Sequence, residues 1–358
     1  MNSNDNFRLI NFSDLHKWNE SDHFQSFSAL KISAQKYFPT ANNKESNTVF
    51  GKKSDEWSHV LKESLAYEGN PKEFFEEYFD PWQSNENGHL TGYFEYEASG
   101  QHKPKNNYSA PLLSKPKDLV RLHEQDIPVV ARKYGRYINE SAYPYYSRRQ
   151  IEQGVLREHN LELIWVDHFI DAYFIHIQGS ARIKLPSGSV KRYSYAAKNG
   201  APYTSIGKIL VSQGEISANN VSMKTIKEWM FDRPDLARTL ILKNESYIFF
   251  KENTISNASQ GPIGANYVPL TPMHSLAVDR AYWPFGLPFY LYNKAEYHSK
   301  SVLNGLSTLV IAQDTGSAIR GRSRFDLFCG SGTEAGNLAG ELNNNIEYSV
   351  LLPKGFVP

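Results

Sequence analysis

The stretch "LVIAQDTGSAIRGRSRFDLFCGSG", residues 309 to 332, carries the clearest fold signal in the chain. An apolar strand ends at Gln313, Asp314-Thr-Gly forms a turn, and "GRSRFDLF" returns as the next strand. A strand, loop and strand of this length can bring Asp314 and Asp326 to the same end of a barrel. The first question is therefore whether either aspartate acts as a general acid in catalysis.

The two aspartates allow different interpretations. Asp314 lies in a turn before a glycine, where an aspartate often caps backbone N–H groups, so a structural role stays open. Asp326 lies inside an apolar strand, where burial without full compensation raises the pKa of a carboxyl group. A carboxylic acid that is still protonated near neutral pH suits general-acid catalysis. The alternative for Asp326 is a structural carboxylate paired with Arg322 or Arg324.

The composition excludes several classes of protein. With 358 residues the chain is long enough for two domains, and its contents of 40% hydrophobic and 22% charged residues are those of a soluble globular protein. A formal net charge of +1 argues against a nucleic-acid binder. Aromatic residues reach 13%, and tyrosine is the most frequent of them, with 22 residues. Most of them are expected in the core, but such a composition also suits a sugar-binding groove.

The cysteine content and the missing motifs exclude further classes of protein. The single cysteine, Cys329, excludes an intrachain disulfide and a thiolate metal cluster. A second Asp-Thr-Gly or Asp-Ser-Gly motif is missing, which excludes an aspartic protease. No apolar run approaches the roughly 18 residues of a membrane span, and the N-terminus lacks a signal-peptide pattern. We therefore expect either a cytosolic protein or the mature form of an exported one.

The hydrophobic pattern predicts an α+β protein, mainly β, with two domains. Helical spacing dominates the first hundred residues, with Ser21 or Asp22 and later Asn70 as N-caps. Alternation then predicts strands, including "DAYFIHIQGSARIKL" at 171–185, before helices return near residue 205. The Asn-, Ser- and Gly-rich stretch 253–266 is a candidate linker. Short strands and turns in the last hundred residues suggest a small closed barrel.

Four long motifs occur along the chain in a defined order: "YFIHIQGSARIKLPSGSVKRYSYAAKNGAPYTSIGKIL", "NESYIFF", "GPIGANYVPLTPMHSLAVD" and "AQDTGSAIRGRSRFDLFCGSGTEAGNLAG". Together they resemble the membrane-bound lytic murein transglycosylase A family. The similarity runs from about residue 90 to 353 and is weaker in the helical N-terminus.

The resemblance implies a fold and a reaction. It implies a double-psi β-barrel domain with N-terminal helices, residues 1–111 and 252–358, and an inserted second β-barrel domain, residues 112–251. The glycan strand of peptidoglycan would lie in the groove between them. The implied reaction cleaves the β-1,4 bond between N-acetylmuramic acid and N-acetylglucosamine without water and leaves a 1,6-anhydromuramic end. It needs no metal and no organic cofactor.

The resemblance also assigns roles to the two aspartates. Asp326 matches the catalytic acid of the family, and Asp314 matches a second aspartate that shapes the site. Glycosidases usually pair two carboxylates, but here the nucleophile is the C6 hydroxyl of the sugar, which is tethered beside the anomeric carbon. Asp326 would first protonate the glycosidic oxygen and would then, as a carboxylate, accept the proton of the C6 hydroxyl.

Further residues are carried over as candidate substrate contacts. They are Tyr93, Gln178, Ser180, Lys198, Asn199, Tyr203 and Ser205. Tyr93 is either a sugar-stacking or a core tyrosine. Gln178 and Ser180 are assigned from the predicted strand at 171–185, where they alternate with inward-facing isoleucines. Asp279 is expected to be a structural support, ion-paired with Arg280 or a neighbour.

The expected setting follows from the expected substrate. We expect a monomer in the periplasm or cell envelope, with outer-membrane association possible for the family, that binds peptidoglycan glycan strands and no nucleic acid. Other cell-wall enzymes are candidate partners. Two alternatives stay open. One is a non-catalytic peptidoglycan-binding scaffold, and the other is a β-1,4-glycan hydrolase in which Asp314 activates water.

Overall fold

The computed structural model describes residues 6–37, 55–107, 109–253, 260–293 and 306–357. The chain forms two compact units, one of residues 1–94 and 258–358 and the other of residues 95–257. The predicted insert, 112–251, lies inside the second unit. Residues 254–259 of the predicted linker lie outside the described residues.

Both units contain helices. Within the described residues they are α1 (His23–Tyr37), α2 (Asp55–Ala66), α3 (Pro71–Tyr78), α4 (Ile127–Val130), α5 (Arg148–Glu152), α6 (Phe169–Gln178), α7 (Ile206–Ser212), α8 (Met223–Asp232), α9 (Pro234–Ile241) and α10 (Gly332–Glu341). The predicted caps are confirmed where the side chains accept hydrogen bonds. Asp22 accepts from the Gln25 N–H at 3.0 Å, and Asn70 accepts from the Lys72 N–H at 3.0 Å.

Strands make up the rest of the regular structure. They are β1 (Phe7–Leu9), β2 (Phe79–Ser84), β3 (Gly88–Gln101), β4 (Ala110–Leu113), β5 (Val120–Arg121), β6 (Tyr134–Ile138), β7 (Ser141–Pro144), β8 (Glu162–Val166), β9 (Ser180–Lys184), β10 (Val190–Lys198), β11 (Ile248–Asn253), β12 (Ser275–Ala277), β13 (Pro288–Tyr292), β14 (Ser307–Asp314), β15 (Arg324–Ser331) and β16 (Asn343–Pro353). The protein is thus α+β and mainly β, as the sequence predicted.

The first unit contains a closed barrel. Its strands follow one another in the order β16, β13, β14, β12, β15 and β3, and β3 pairs back to β16. Strand β12 runs parallel to β14 and antiparallel to β15, so it lies between the two strands that carry the aspartates. Closure leaves these strands without free edges, and the predicted barrel is therefore confirmed.

Helix α1 holds one of the barrel strands in place. Gln313, the last residue before Asp314, donates to the carbonyl of Ala29 and to the Ser33 hydroxyl, both at 2.9 Å. The Ser275 hydroxyl of β12 donates to the Gln313 side chain at 2.5 Å. Because Gln313 is fully buried, these contacts fix the end of β14 from which Asp314 projects.

Strand β15 is anchored by apolar packing on both sides of Asp326. Phe325, Leu327 and Phe328 are fully buried. Phe325 packs edge-on against Tyr348, with ring centroids 4.8 Å apart. Asp326 is therefore carried by a backbone that cannot shift without disturbing the core.

The second unit has its own sheet, built on the second half of β3. The order is β4, β8, β3, β9, β10 and β11, and a bridge between Ser114 and Phe250 joins the two ends. Strands β5, β6 and β7 form a separate small sheet. A buried cluster packs beneath these strands and consists of Leu113, Leu119, Tyr145, Ile151, Leu156, Ala197, Tyr247 and Phe249.

Two segments correct the predictions from sequence. The stretch 171–185 is not one strand: residues up to Gln178 belong to helix α6, and only Ser180–Lys184 is a strand. His168 caps α6 by accepting from the Ile170 N–H, and Gly179 ends it with a φ of 82°. Burial on most sides of α6 removes the polar face that would have shown a helical period. Helix α10, inside the region predicted as strands and turns, was missed because glycine and alanine leave little periodic signal.

Candidate active site

The two aspartates of the opening stretch lie on neighbouring positions of the barrel. Asp314 at the end of β14 and Asp326 in β15 are both in register with Ala277 of the strand between them. Residues in register on adjacent strands project to the same face, and two strand spacings separate their Cα atoms by roughly 10 Å. The side chain between the two carboxyl groups is only a methyl group. The prediction that both aspartates share one end of the barrel is confirmed.

Asp326 is half-buried and sparsely compensated. The Thr91 hydroxyl donates to its Oδ1 at 2.5 Å. Neither Arg322 nor Arg324 forms an ion pair with Asp326 in the part of the chain that the structure describes. Desolvation raises the pKa of Asp326 from its ordinary 3.8 to about 6, because it outweighs the Thr91 hydrogen bond and the charge of Arg324. The alternative of a salt-bridged structural carboxylate is thus wrong.

Asp314 is held much more firmly. The Tyr93 hydroxyl donates to its Oδ2 at 2.7 Å, and the backbone N–H groups of Ala265 and Thr315 donate to its Oδ1, each at 2.9 Å. A carboxylate has about four acceptor positions, and three are occupied here. Burial still raises the pKa of Asp314 above its ordinary value. Asp314 therefore caps its turn and also belongs to the same cluster as Asp326.

Tyr93 belongs to this cluster through its hydroxyl. Its ring packs against Phe328 with centroids 5.4 Å apart. Burial, followed by the charge of Asp314, raises the pKa of Tyr93 well above its ordinary value, so the phenol stays a hydrogen-bond donor. Nearby Cys329 is buried, and its thiol is kept neutral because burial raises its pKa to about 12.

Asp279 supports the loop that joins the two aspartates. It is buried, and its carboxylate accepts from the N–H groups of Ala281 at 3.0 Å and Gly321 at 2.8 Å. Its ion pair is with Arg320, at 3.6 Å. The predicted structural role fits these contacts, and the partner comes from the loop rather than from the adjacent Arg280.

The other predicted contact residues lie in the second unit. Gln178 is the last residue of α6 and Ser180 the first of β9, where it is buried and pairs with Ser194. The alternation from which they were assigned therefore does not exist. Lys198 ends β10 and is half-buried. Their contact with a substrate stays a prediction.

Asn199 has a structural role instead. It is fully buried, and its amide donates to the carbonyls of Tyr146 and Glu245 and accepts from the N–H groups of Ala201 and Tyr247. All four hydrogen-bonding positions of the side chain are occupied inside the fold. These contacts hold the turn in place and leave no position for a ligand.

The loop after Asn199 offers more accessible groups. Tyr203 is 38% exposed. The Ser205 hydroxyl accepts from the Lys208 N–H at 3.3 Å and caps α7. Tyr203 thus stays a candidate contact, whereas the hydroxyl of Ser205 is already used by the helix.

Two residues of the cluster were not recognised from the sequence. Thr91 precedes Tyr93 by two positions on β3, so both project to the same face of the strand. This spacing could have found Thr91. Arg324 was considered only as an ion-pair partner, but its Nη2 donates to the Thr91 hydroxyl at 2.8 Å.

The described residues contain no group of three or more His, Cys, Asp or Glu side chains that could hold a metal ion. None of the helices in the described part of the chain has the length and apolar character of a membrane span.

Family models match both units. The model described as "MltA specific insert domain" matches residues 89–251, and the model described as "3D domain" matches residues 274–352. The second match contains both aspartates of the barrel and Asp279.

Individual relatives agree with these models. Membrane-bound lytic murein transglycosylase A of Vibrio cholerae is 30% identical over 255 residues, which is 70% of this chain and 61% of that protein. The matched part thus spans less than two thirds of that relative's length. The crystal structure of a membrane-bound lytic murein transglycosylase from Agrobacterium tumefaciens is 33% identical, with a TM-score of 0.87 and 98% of each chain covered. MltA from Neisseria gonorrhoeae is 29% identical, with a TM-score of 0.74 and coverage of 98% of this chain and 91% of that one.

Proposed function

This chain belongs to the membrane-bound lytic murein transglycosylase A family, and we propose that it cleaves the glycan strands of peptidoglycan as a lytic transglycosylase. The bond broken is the β-1,4 link between N-acetylmuramic acid and N-acetylglucosamine. The product carries a 1,6-anhydromuramic end.

The environment of Asp326 is the observation that carries this proposal. A carboxyl group whose pKa burial raises to about 6 is partly protonated near neutral pH and is a strong enough acid to donate its proton. It is half-buried, so a substrate can reach it. Among the described residues, no Lys, Arg or His side chain forms an ion pair with it that would favour the charged form.

In the proposed reaction Asp326 acts twice. As an acid it transfers its proton to the glycosidic oxygen, and the C1–O4 bond breaks with the electron pair going to the departing N-acetylglucosamine. The C6 hydroxyl oxygen of the muramic residue then bonds to C1, and the Asp326 carboxylate accepts the hydroxyl proton. The acid is regenerated and no water is consumed. Because the C6 hydroxyl is tethered beside C1, its high effective molarity makes the second carboxylate of most glycosidases unnecessary.

The contacts of Asp314 support this single-acid scheme over hydrolysis. A general base for water needs a free lone pair directed at the water. Three donors already occupy Asp314, from Tyr93, Ala265 and Thr315. We therefore assign Asp314 to shaping the site and to electrostatic stabilisation of the positive charge that develops at C1.

The proposed setting is the cell envelope, where peptidoglycan lies, and the names of the relatives support membrane association. The candidate contacts for the glycan in the second unit remain Gln178, Ser180, Lys198 and Tyr203. The domain limits 112 and 251 are kept as the proposed limits of the insert.

The experiment is mass spectrometry of the muropeptides that the protein releases from purified peptidoglycan. Products that are one water lighter than the reducing sugars support the proposal. Reducing ends would identify a hydrolase, and no release from peptidoglycan that the protein still binds would identify a scaffold. Either result would overturn the proposed function.

A further inference from the structure

We propose that Arg324 is a positioning residue for Asp326, because its guanidinium fixes the Thr91 hydroxyl and thereby assigns the acidic proton of Asp326 to Oδ2. This inference rests on the proposed function, in which Asp326 delivers a proton to the glycosidic oxygen. It adds which oxygen delivers that proton and which residue decides it.

The geometry is a chain of two hydrogen bonds. Arg324 Nη2 donates to Thr91 Oγ1 at 2.8 Å, and Thr91 Oγ1 donates to Asp326 Oδ1 at 2.5 Å. Arg324 Nη1 donates to the backbone carbonyl of Phe325, so the planar guanidinium is held at two points. Arg324 is the first residue of β15, which neighbours β3, and it is half-buried.

The direction of the Thr91 hydrogen follows from the chemistry of the donors. A guanidinium can only donate, so the Thr91 oxygen must be the acceptor in its contact with Arg324. The one hydroxyl hydrogen of Thr91 is then free to point at Asp326 Oδ1, which becomes an acceptor. A proton on Oδ1 would have to share this short contact with the Thr91 hydrogen.

Oδ2 is the oxygen that remains for the proton. Within the described ranges, Oδ2 of Asp326 has no hydrogen-bond partner, and the side chain is accessible. A proton on Oδ2 is therefore available to a substrate, and after its transfer the new carboxylate is stabilised at Oδ1 by Thr91. Without Arg324 the Thr91 hydroxyl could rotate, and either oxygen could carry the proton.

The effect of Arg324 on the pKa of Asp326 can be distinguished from the effects of the other ionisable groups nearby. Asp314 raises the pKa of Asp326, whereas the Arg324 charge and the Thr91 hydrogen bond lower it. The phenol of Tyr93 and the thiol of Cys329 are both neutral, because burial raises their pKa values. His89 accepts from Arg324 Nη1 through its backbone carbonyl at 3.5 Å, and burial followed by the charge of Arg324 lowers the pKa of its imidazole. Arg324 is thus the cation that acts on Asp326 among the described residues.

The experiment compares Arg324→Met, Arg324→Lys and the matched control Arg322→Met. Arg322 is two residues away, and its guanidinium lies over the Tyr282 ring. For each protein the pKa of Asp326 is measured by ¹³C NMR of labelled aspartate, and the pH profile of kcat/KM is measured on purified peptidoglycan. The NMR titration needs no activity, so a protein that fails to cleave peptidoglycan refutes the proposed function and still tests Arg324.

Arg324→Met removes the positive charge and the relay, which is the chain of two hydrogen bonds from Arg324 through Thr91 to Asp326. Their loss should raise the pKa of Asp326 by about 0.5 to 1. Because the acid must be protonated, the basic limb of the kcat/KM profile should move to higher pH by the same amount, with kcat lowered about tenfold. Arg324→Lys should show a smaller pKa change, and Arg322→Met none.

An unchanged Asp326 pKa in Arg324→Met, or an equal change in Arg322→Met, would overturn the inference. Should Arg324→Met not fold, Thr91→Val and Thr91→Ser provide a second test. Valine should raise the pKa of Asp326, and serine, which restores the hydroxyl, should return it. A pKa that is the same in both variants would overturn the relay.

Discussion

Glu95 in the second unit and Asp326 in the first are both carboxylates of a sheet, and the chain treats them in opposite ways. Glu95 is fully buried. Arg182 Nε lies 2.9 Å from its Oε2, and Arg192 Nε lies 2.7 Å from its Oε1. Among the described residues, Asp326 accepts one hydrogen bond, from the Thr91 hydroxyl, and Arg324 donates to that hydroxyl rather than to the carboxyl group.

The difference shows how this protein separates structural from chemical carboxylates. Two guanidinium groups contact the Glu95 carboxyl group, which suits a group with a structural role. Asp326 is left partly desolvated with its charge poorly compensated, which is the condition for proton transfer near neutral pH. Burial thus accompanies a structural role at Glu95, whereas at Asp326 it raises the pKa of a reactive carboxyl group.

The largest expected effect is the loss of activity in Asp326→Asn. The amide has nearly the same shape but cannot transfer a proton, so kcat/KM on peptidoglycan should fall by about a thousandfold or more. The matched control is Asp80→Asn, another half-buried strand aspartate of the first unit, which accepts from the Gly355 N–H. The control should keep most of the activity, and equal losses in both variants would contradict a special role for Asp326.

The second effect is on stability and tests the other side of the comparison. Glu95→Gln removes the buried carboxylate that Arg182 and Arg192 both contact, and should lower the free energy of unfolding by about 3 kcal/mol. Chemical denaturation monitored by circular dichroism measures this value. Asp326→Asn should not lower it. If Glu95→Gln were as stable as the wild type, the two carboxylates would not differ in the way described.

A third effect is the pH dependence of that free energy. The folded-state pKa of Asp326, about 6, lies above the ordinary 3.8. Its contribution to stability is therefore complete below pH 3.8 and is lost as the pH rises through about 6. The quantity to compare is the free energy of unfolding of Asp326→Asn minus that of the wild type. This difference should be about 1 to 2 kcal/mol larger at pH 8 than at pH 4, allowing for the partial exposure of Asp326. A stability difference that is constant across this range would show that Asp326 is not desolvated.

The smallest effect concerns the firmly held Asp314. Tyr93→Phe removes one of its three donors and leaves the ring in place against Phe328. We expect roughly a tenfold fall in kcat/KM, since a hydrogen bond to a charged group contributes about 1.5 kcal/mol or more. The anhydro character of the product should not change. A switch to reducing ends would mean that Tyr93 and Asp314 exclude water from the reaction.

Part of this site could be predicted from the sequence, because Asp314 and Asp326 lie on strands with strong local sequence patterns. The apolar runs around Gln313 and Phe325 fixed β14 and β15, and the turn between them brought Asp314 and Asp326 together. The contact between Thr91 and Asp326 joins residues 235 positions apart. No local pattern reports such a contact, so Thr91 and the relay from Arg324 needed the structure.

The second unit was predicted less well for a different reason. Helix α6 is buried on most of its surface, so it has no polar face with a helical period, and the alternation near its end predicted a strand instead. The assignment of Gln178 and Ser180 depended on that run. Asn199 was a candidate substrate contact, but three of its four hydrogen bonds are with Tyr146, Glu245 and Tyr247, which are distant in sequence.

The most direct measurement of the central claim is the titration of the Asp326 carboxyl group in the wild-type protein. Aspartate labelled with ¹³C at Cγ reports the protonation of each carboxyl group, and the resonance of Asp326 is the one that disappears in Asp326→Asn. A midpoint near pH 6 is the predicted result. A midpoint at or below about 4, the ordinary range of an aspartate, would contradict the claim that this carboxyl group is held ready as the acid.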